Sequence, residues 1–412
     1  MAFTRARAAA EAPTLLDALA RAPAAAGLVV AALERAEDRK ALRLAHPQLR
    51  DMVGEATTKL QAVIHAARAA RPPTPRRWPR LAELKILYPD WATLEALGAE
   101  IWGVLRTLRL GAPSLLCNLD APSARALAAA LRRMPALRAL ELRGVRLPDE
   151  AAQELFRASS VEGAPQLREL GIVDAHLTPA AARMLALVGW SLEALDLRYN
   201  RDLGDAGAAA LLAAPSFALR RLSLGSCDLN TASLVNIANA PRWPLEELDL
   251  SCNDFSAAAA GPALAALSRR VGLRHVNVDN CSLRAASFKA LLEAAWPALT
   301  SLRASYASVA FDGAHALGAA AFAGFPALEE LVLIGVELRE AGTALLASRR
   351  WARLKTLNLC VARLDDAGLT VLARGAWPAL ERLELRHNRI SALPTLEDVR
   401  RWAPALEKLV LF

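Results

Sequence analysis

The side chains in this chain that could do chemistry are six histidines (His46, His65, His176, His275, His315, His387) and five cysteines (Cys117, Cys227, Cys252, Cys281, Cys360). A metal site needs such ligands at short, regular spacings, and a nucleophilic thiol needs a base held beside it. Neither pattern occurs. There is no C-x-x-C pair, so zinc is not expected, and the cysteines read as small buried thiols of a reducing compartment. The phosphate-cradling G-x-G-x-x-G and G-x-x-x-x-G-K-[ST] loops, the G-x-S-x-G elbow and the H-E-x-x-H helix are also missing from the sequence. The expectation is therefore a protein that is not an enzyme and uses no cofactor or metal. His275 and His387 fall in or beside strands, where they read as exposed surface residues.

What does recur is a scaffold. Leu192-Glu193-Ala194-Leu195-Asp196-Leu197-Arg198-Tyr199-Asn200 contains three leucines spaced L-x-x-L-x-L, followed three places on by a small polar residue. Such a stretch is a short strand whose inward side chains are apolar and whose outward ones vary. The frame returns with its first leucine at Leu137, Leu167, Leu192, Leu219, Leu245, Leu273, Leu299, Leu328, Leu354, Leu380 and Leu406, and more loosely at Leu81 and Leu105. From Leu137 onward the period averages about 27 residues, inside the ~20–29 of leucine-rich repeats. Alanine-rich helices are expected between strands, among them 204–214, 285–295 and 366–374. A proline commonly precedes each strand, often after an aromatic residue, as in Trp243-Pro244, Trp296-Pro297 and Trp377-Pro378. The proline stops the helix and the ring fills the gap to the next strand.

This pattern resembles the leucine-rich-repeat (LRR) family over about three quarters of the chain, most closely its cysteine-containing subclass and next its ribonuclease-inhibitor subclass. Eight residues after the first leucine stand Asn200, Asn253 and Asn388, and also Cys227 and Cys281. Both residue types can hydrogen-bond backbone groups inside a tight turn. The resemblance implies an α/β fold: a right-handed LRR solenoid with a curved parallel sheet inside and helices outside, preceded by a small all-α N-terminal unit. The expected organisation is a helical unit over 12–64, a basic proline-rich linker over 65–80, and about thirteen repeats over 81–412.

In the first segment, the run from Asp38 to Leu44 and from Leu49 to Val53 resembles the second half of an F-box. The family's opening L-P-x-E falls near Arg21-Ala22-Pro23-Ala24, where only the proline matches. That resemblance implies docking of a Skp1-like adaptor on Val29, Val30, Leu33, Leu42 and Leu44. The alternative is a plain helical cap over the first strand edge. Net charge is +8, and five of those charges are Arg68, Arg71, Arg76, Arg77 and Arg80, in a stretch without Asp or Glu. No recognition helix or aromatic platform accompanies them, so nucleic acid is not the expected partner. No apolar run reaches the ~18 residues of a membrane span, and no membrane association is expected. The last frame ends on its strand, so an apolar sheet edge is expected there.

Binding in such an architecture falls to the side chains that alternate out from the leucines onto the concave face. The candidate contacts are Arg143, Asp196, Arg198, Arg221, Glu247, Asp249, Asn277, Asp279, Arg303, Tyr306, Val332 and Ile334. They form an acidic and polar middle between arginines and an apolar strip that also takes in Cys360. The expected function is protein–protein interaction, as the substrate-recognition subunit of a Skp1–cullin ubiquitin ligase in the cytoplasm, with nucleus or cilium as further locations. The competing expectation is an LRR scaffold or regulator, in cytoskeletal or ciliary assembly or of small GTPases, with no ligase link.

Overall fold

The computed structural model describes residues 59–63, 80–87, 94–95, 97–111, 117–159, 164–240, 243–270, 272–306, 317–391 and 393–411. The chain divides into two compact units, Met1–Val145 with Glu150–Leu167, and Arg146–Asp149 with Arg168–Phe412. Both are built from the same repeat, an LRR solenoid of parallel strands and helices.

In the first unit the strands Lys59–Val63, Glu83–Leu87, Thr107–Gly111 and Ala139–Arg143 are parallel neighbours. Their register aligns Leu60, Leu84, Leu108 and Leu140, then Ala62, Ile86, Leu110 and Leu142. The strand Lys59–Val63 lies inside the segment expected to be helical, so the sheet begins before 81. Its Ala62 aligns with Ile86 and is too small to be read as a leucine place. The helix Ala121–Leu131 starts on Asp120, whose carboxylate accepts from Ser123 N–H at 2.9 Å. Pro122 sits in its first turn, where the missing N–H costs nothing.

The second unit carries ten parallel strands among the described residues: Glu169–Val173, Ala194–Asp196, Arg221–Ser223, Glu247–Asp249, His275–Asn277, Ser301–Arg303, Glu330–Val332, Thr356–Asn358, Arg382–Glu384 and Lys408–Val410. The helices between them include Gly204–Leu212, Ala285–Glu293 and Asp366–Leu372, where the alanine tracts place them. Several start on side-chain caps: Thr178, Asn230, Asp365 and Thr395 each accept from a backbone N–H of the first turn.

Every first-frame leucine from Leu81 to Leu406 is at most 2% exposed. Burial of one such side chain stabilises by about 2 kcal/mol, and a repeat gains it only by stacking on its neighbours. The strand Lys408–Val410 is less covered, with Leu409, Val410 and Leu411 half-buried. The helix-to-strand junctions hold Trp243, Trp296, Trp351 and Trp377 in the core. Beyond filling the gap, three of these indoles donate to the carbonyl five residues back: Trp296 to Leu291 (3.0 Å), Trp351 to Leu346 (2.9 Å) and Trp377 to Leu372 (3.0 Å). Each thus ties the ring to the helix end before it, adding a donor to Leu346 O and Leu372 O, which also accept from Arg349 N and Gly375 N.

Candidate protein-binding face

The turn that ends each strand of the second unit decides which side chains are left for binding. Two residues after the third leucine the backbone adopts a left-handed conformation: Asp174, Tyr199, Ser226, Cys252, Asn280, Tyr306, Gly335, Val361 and His387 have φ between 55° and 71°. For a non-glycine residue this costs roughly 1–2 kcal/mol. The ladder offsets it, because N–H groups at these positions still donate to the next repeat, as Tyr199 to Gly225 O and Cys252 to Asp279 O, both at 2.8 Å. The kink then turns the following residue inward.

At five of these turns that inward residue is an asparagine or cysteine, and at three others it is Ala175, Val336 or Ala362. Asn253 Oδ1 accepts from Cys227 N (3.2 Å) and Leu229 N (3.0 Å), while its Nδ2 donates to Leu224 O (2.9 Å) and Leu250 O (2.8 Å). Asn200 makes the same four bonds one repeat pair earlier, to Ala175 N, Leu177 N, Ile172 O and Leu197 O. Asn388 makes three, to Leu364 N, Leu359 O and Leu385 O. Cys227 and Cys281 donate through sulfur to Leu197 O and Leu250 O, each at 3.1 Å. Burial is the main cause that pushes both thiols up to about 12, so they are protonated hydrogen-bond donors rather than nucleophiles. Among the described residues no group of three or more His, Cys, Asp or Glu is placed to hold a metal ion.

The face turned away from the helices carries three rows of side chains, one on each side of the second and third leucines. In the middle row, Asp196, Asp249, Asn277 and Asn358 each accept the backbone N–H two residues on, at 3.1, 3.0, 3.0 and 3.0 Å. One oxygen of each therefore shapes the turn and is not available to a partner. Arg198 forks onto Asp196 (2.9 and 2.7 Å) and reaches toward Asp249 (4.0 Å). Its hydrogen bond with Asp196 raises its affinity for the proton above the ordinary arginine value. A Cβ at Gly225 would lie 2.8 Å from Ser251 Oγ, so the glycine leaves room for the Ser251 hydroxyl beside this pair. Asp279 accepts from Arg303 (3.2 Å) and from Ser305 N (2.6 Å), and Arg303 also approaches Glu330 (3.7 Å). Arg221 pairs with Glu169 at 2.8 Å.

The expected contacts thus fall into groups. Asp196, Arg198, Asp249, Asn277, Asp279 and Arg303 form a half-buried, internally paired strip. Glu247 is exposed, with no ion pair among the described residues, and Tyr306 is 56% exposed with its ring against Gly335. Val332 is 2% and Cys360 6% exposed, so the apolar strip shrinks to Tyr306 and half-buried Ile334. Register sets Val332 between Arg303 and Asn358, two longer side chains that overtop a valine. Arg143 belongs to the first unit, where Glu141 pairs with it (3.0 Å) and with Arg109 (3.2 Å). Val29, Val30, Leu33, Leu42 and Leu44 lie outside the described residues. Tyr199, 55% exposed at a left-handed position, was not expected as a contact. Its signal was its place one residue before the ladder asparagine.

Short parallel strands, helical returns and a buried asparagine–cysteine ladder define a leucine-rich-repeat solenoid. A family model described as Leucine Rich repeat matches residues 191–212 and 244–260. The chain is 35% identical to the ribonuclease inhibitor of Mus musculus over 145 residues, 33% of this chain and 31% of that protein. Against the ribonuclease inhibitor of Sus scrofa it is 34% identical over 146 residues, again 33% of this chain and 31% of that protein. The matched stretch therefore spans about a third of the length of these relatives. Among solved structures, a chain of the Rad7 and Elc1 complex from yeast is similar in fold, with a TM-score of 0.50 at 17% identity, covering 80% of this chain and 74% of that one. The fold of this chain is thus a leucine-rich-repeat solenoid, with the repeat model matched at 191–212 and 244–260. Among the described residues no helix is long and apolar enough to cross a membrane.

Proposed function

We propose that this protein is a non-enzymatic interaction module whose open sheet face receives a protein partner, and that it serves as the substrate-recognition subunit of a Skp1–cullin ubiquitin ligase. The observation that carries the reading is the division of labour within each repeat. The frame leucines are consumed by the core, whereas the outward rows run in register across ten strands and end in exposed Tyr199, Glu247 and Tyr306. Aromatic rings beside charged rows suit a protein interface. The ligase link is supported by the F-box-like run from Asp38 to Val53 and by a similar fold in Rad7, solved in complex with Elc1.

The test is co-purification of the full chain with Skp1. The reading expects Skp1 to be retained, and lost on Leu33→Asp or Leu42→Asp while thermal melting of the repeats is unchanged. Absence of Skp1 from the unaltered protein would remove the ligase link and leave the interaction face standing. A second reading is a binder or scaffold without that link. It is supported by the similarity to the ribonuclease inhibitors, which takes in a third of this chain.

A further inference from the structure

The first unit carries a charged and apolar edge that the proposed function does not use. Ile101 is 62% and Val104 48% exposed, an unusual pair of large aliphatic side chains to leave in water. They do not hang from a loose loop. Between them Trp102 is buried, its backbone N–H donates to Arg133 O (2.7 Å) and its indole to Leu97 O (3.0 Å). The segment is thereby pinned beside the end of the helix Ala121–Leu131, where Arg132 and Arg133 are exposed.

Two further arginines stand on the same edge. Arg138 N and Ala139 N both donate to Arg106 O (2.9 and 3.0 Å), so Arg106 and Arg138 occupy equivalent places on adjacent strands, and both are exposed. None of the four arginines forms an ion pair among the described residues. The helix C-terminus gives Arg132 a favourable dipole, but it does not account for Arg106, Arg133 and Arg138. The acidic residues nearby are Glu95 and Glu100. In the second unit the equivalent column holds three ion pairs, Arg168 with Glu193 (2.5 Å), Arg220 with Glu246, and Lys355 with Glu329 (2.8 Å). Four exposed arginines with no such partner mark the edge of the first unit as a place where an outside anion completes the pairing.

We propose that this edge is a second docking surface, for an acidic polypeptide segment that also bears large apolar side chains. Charge complementarity calls for the carboxylates, and Ile101 with Val104 calls for the apolar residues. A single-stranded nucleic acid would want exposed rings to stack on, and no aromatic ring is exposed among the described residues of this unit.

The experiment is fluorescence anisotropy of the full chain with a fluorescein-labelled peptide of alternating Glu and Leu, beside an all-Glu peptide and an oligo-dT of similar length. The expected result is saturable binding of the Glu–Leu peptide that is about tenfold weaker in Arg133→Glu/Arg138→Glu and in Ile101→Asp/Val104→Asp, and unchanged in Tyr306→Ala. Arg133→Gln/Arg138→Gln should give an intermediate loss. That milder variant and the salt dependence of the unaltered chain carry the test if charge reversal unfolds the unit. Absence of saturable binding, equal affinity for the all-Glu peptide, indifference to the aspartate variant, or tighter binding of oligo-dT would each overturn the proposal.

Discussion

Turns of the second unit such as those at Asn200 and Asn253 place one polar group inside and others on the open face, and the two are held in opposite ways. Inside, Asn253 is 5% exposed and every hydrogen-bonding direction it uses ends on backbone. Outside, Asp196, Arg198 and Asp249 satisfy one another beside water. The difference is what remains when the side chain is removed. At the ladder, two N–H groups and the Leu224 carbonyl are stranded where water does not reach. On the face, solvent takes over. Stability is therefore concentrated in the inner row, and freedom to vary in the outer ones.

The largest effect is expected at Asn253→Ala. Stranding Cys227 N, Leu229 N and Leu224 O, with Leu250 O left to the Cys281 thiol, should cost about 3 kcal/mol, read as a lower urea midpoint. Asn388→Ala should cost about half as much, because that asparagine makes three such bonds and is only half-buried. Equal losses at both sites would break the link drawn between burial and cost.

The two ladder cysteines sharpen the same contrast through pH. Their pKa is raised on folding, from the ordinary 9.0 to about 12, so the stability they contribute is complete below about 9 and is lost as pH climbs toward 12. At pH 10 the unfolded chain is ionised at each thiol and the folded one is not, a loss of about 1.4 kcal/mol per thiol relative to pH 7. Urea titrations at both pH values should show a drop larger by that amount in the unaltered protein than in Cys227→Ala/Cys281→Ala. Exposed Cys252 supplies the control, since a thiol reagent should label it in the native protein and leave the ladder pair untouched.

The inner row was legible in the sequence because its constraints are local and repeat. Leucine spacing, the polar residue at the ladder and alanine-rich returns each follow from one repeat packing on the next. The strand Lys59–Val63 was not legible, because Ala62 stands where later repeats have a large aliphatic residue and only its register with Glu83–Leu87 reveals the frame. The outer rows were legible as positions but not as surfaces. Whether Arg198 is free depends on Asp249 two strands away, and the burial of Val332 depends on its neighbours' lengths. Such facts join residues about 25 or more apart in sequence, one repeat period, which a frame read one repeat at a time does not connect.

The smallest stability effects should occur where binding effects are greatest. Asp249→Ala frees Ser251 N–H and Oγ–H, both bonded to it at 3.0 and 2.7 Å, and should cost about 1 kcal/mol because the strip is half-buried. Glu247→Lys and Tyr306→Ala remove nothing that the turn uses, so the melting temperature should move by less than the equivalent of about 0.5 kcal/mol. Proximity labelling with the unaltered chain would identify the proteins that contact it, and the pair of variants should lose those that use this face. If both variants keep every labelled protein while Asp249→Ala loses some, recognition runs through the paired strip, and the arginine–aspartate contacts must open for a partner to enter. In that case the inner and outer rows would no longer be independent. Disturbing Asp249 would then change the turn that holds Asn253, and the two losses in a double variant would fail to add.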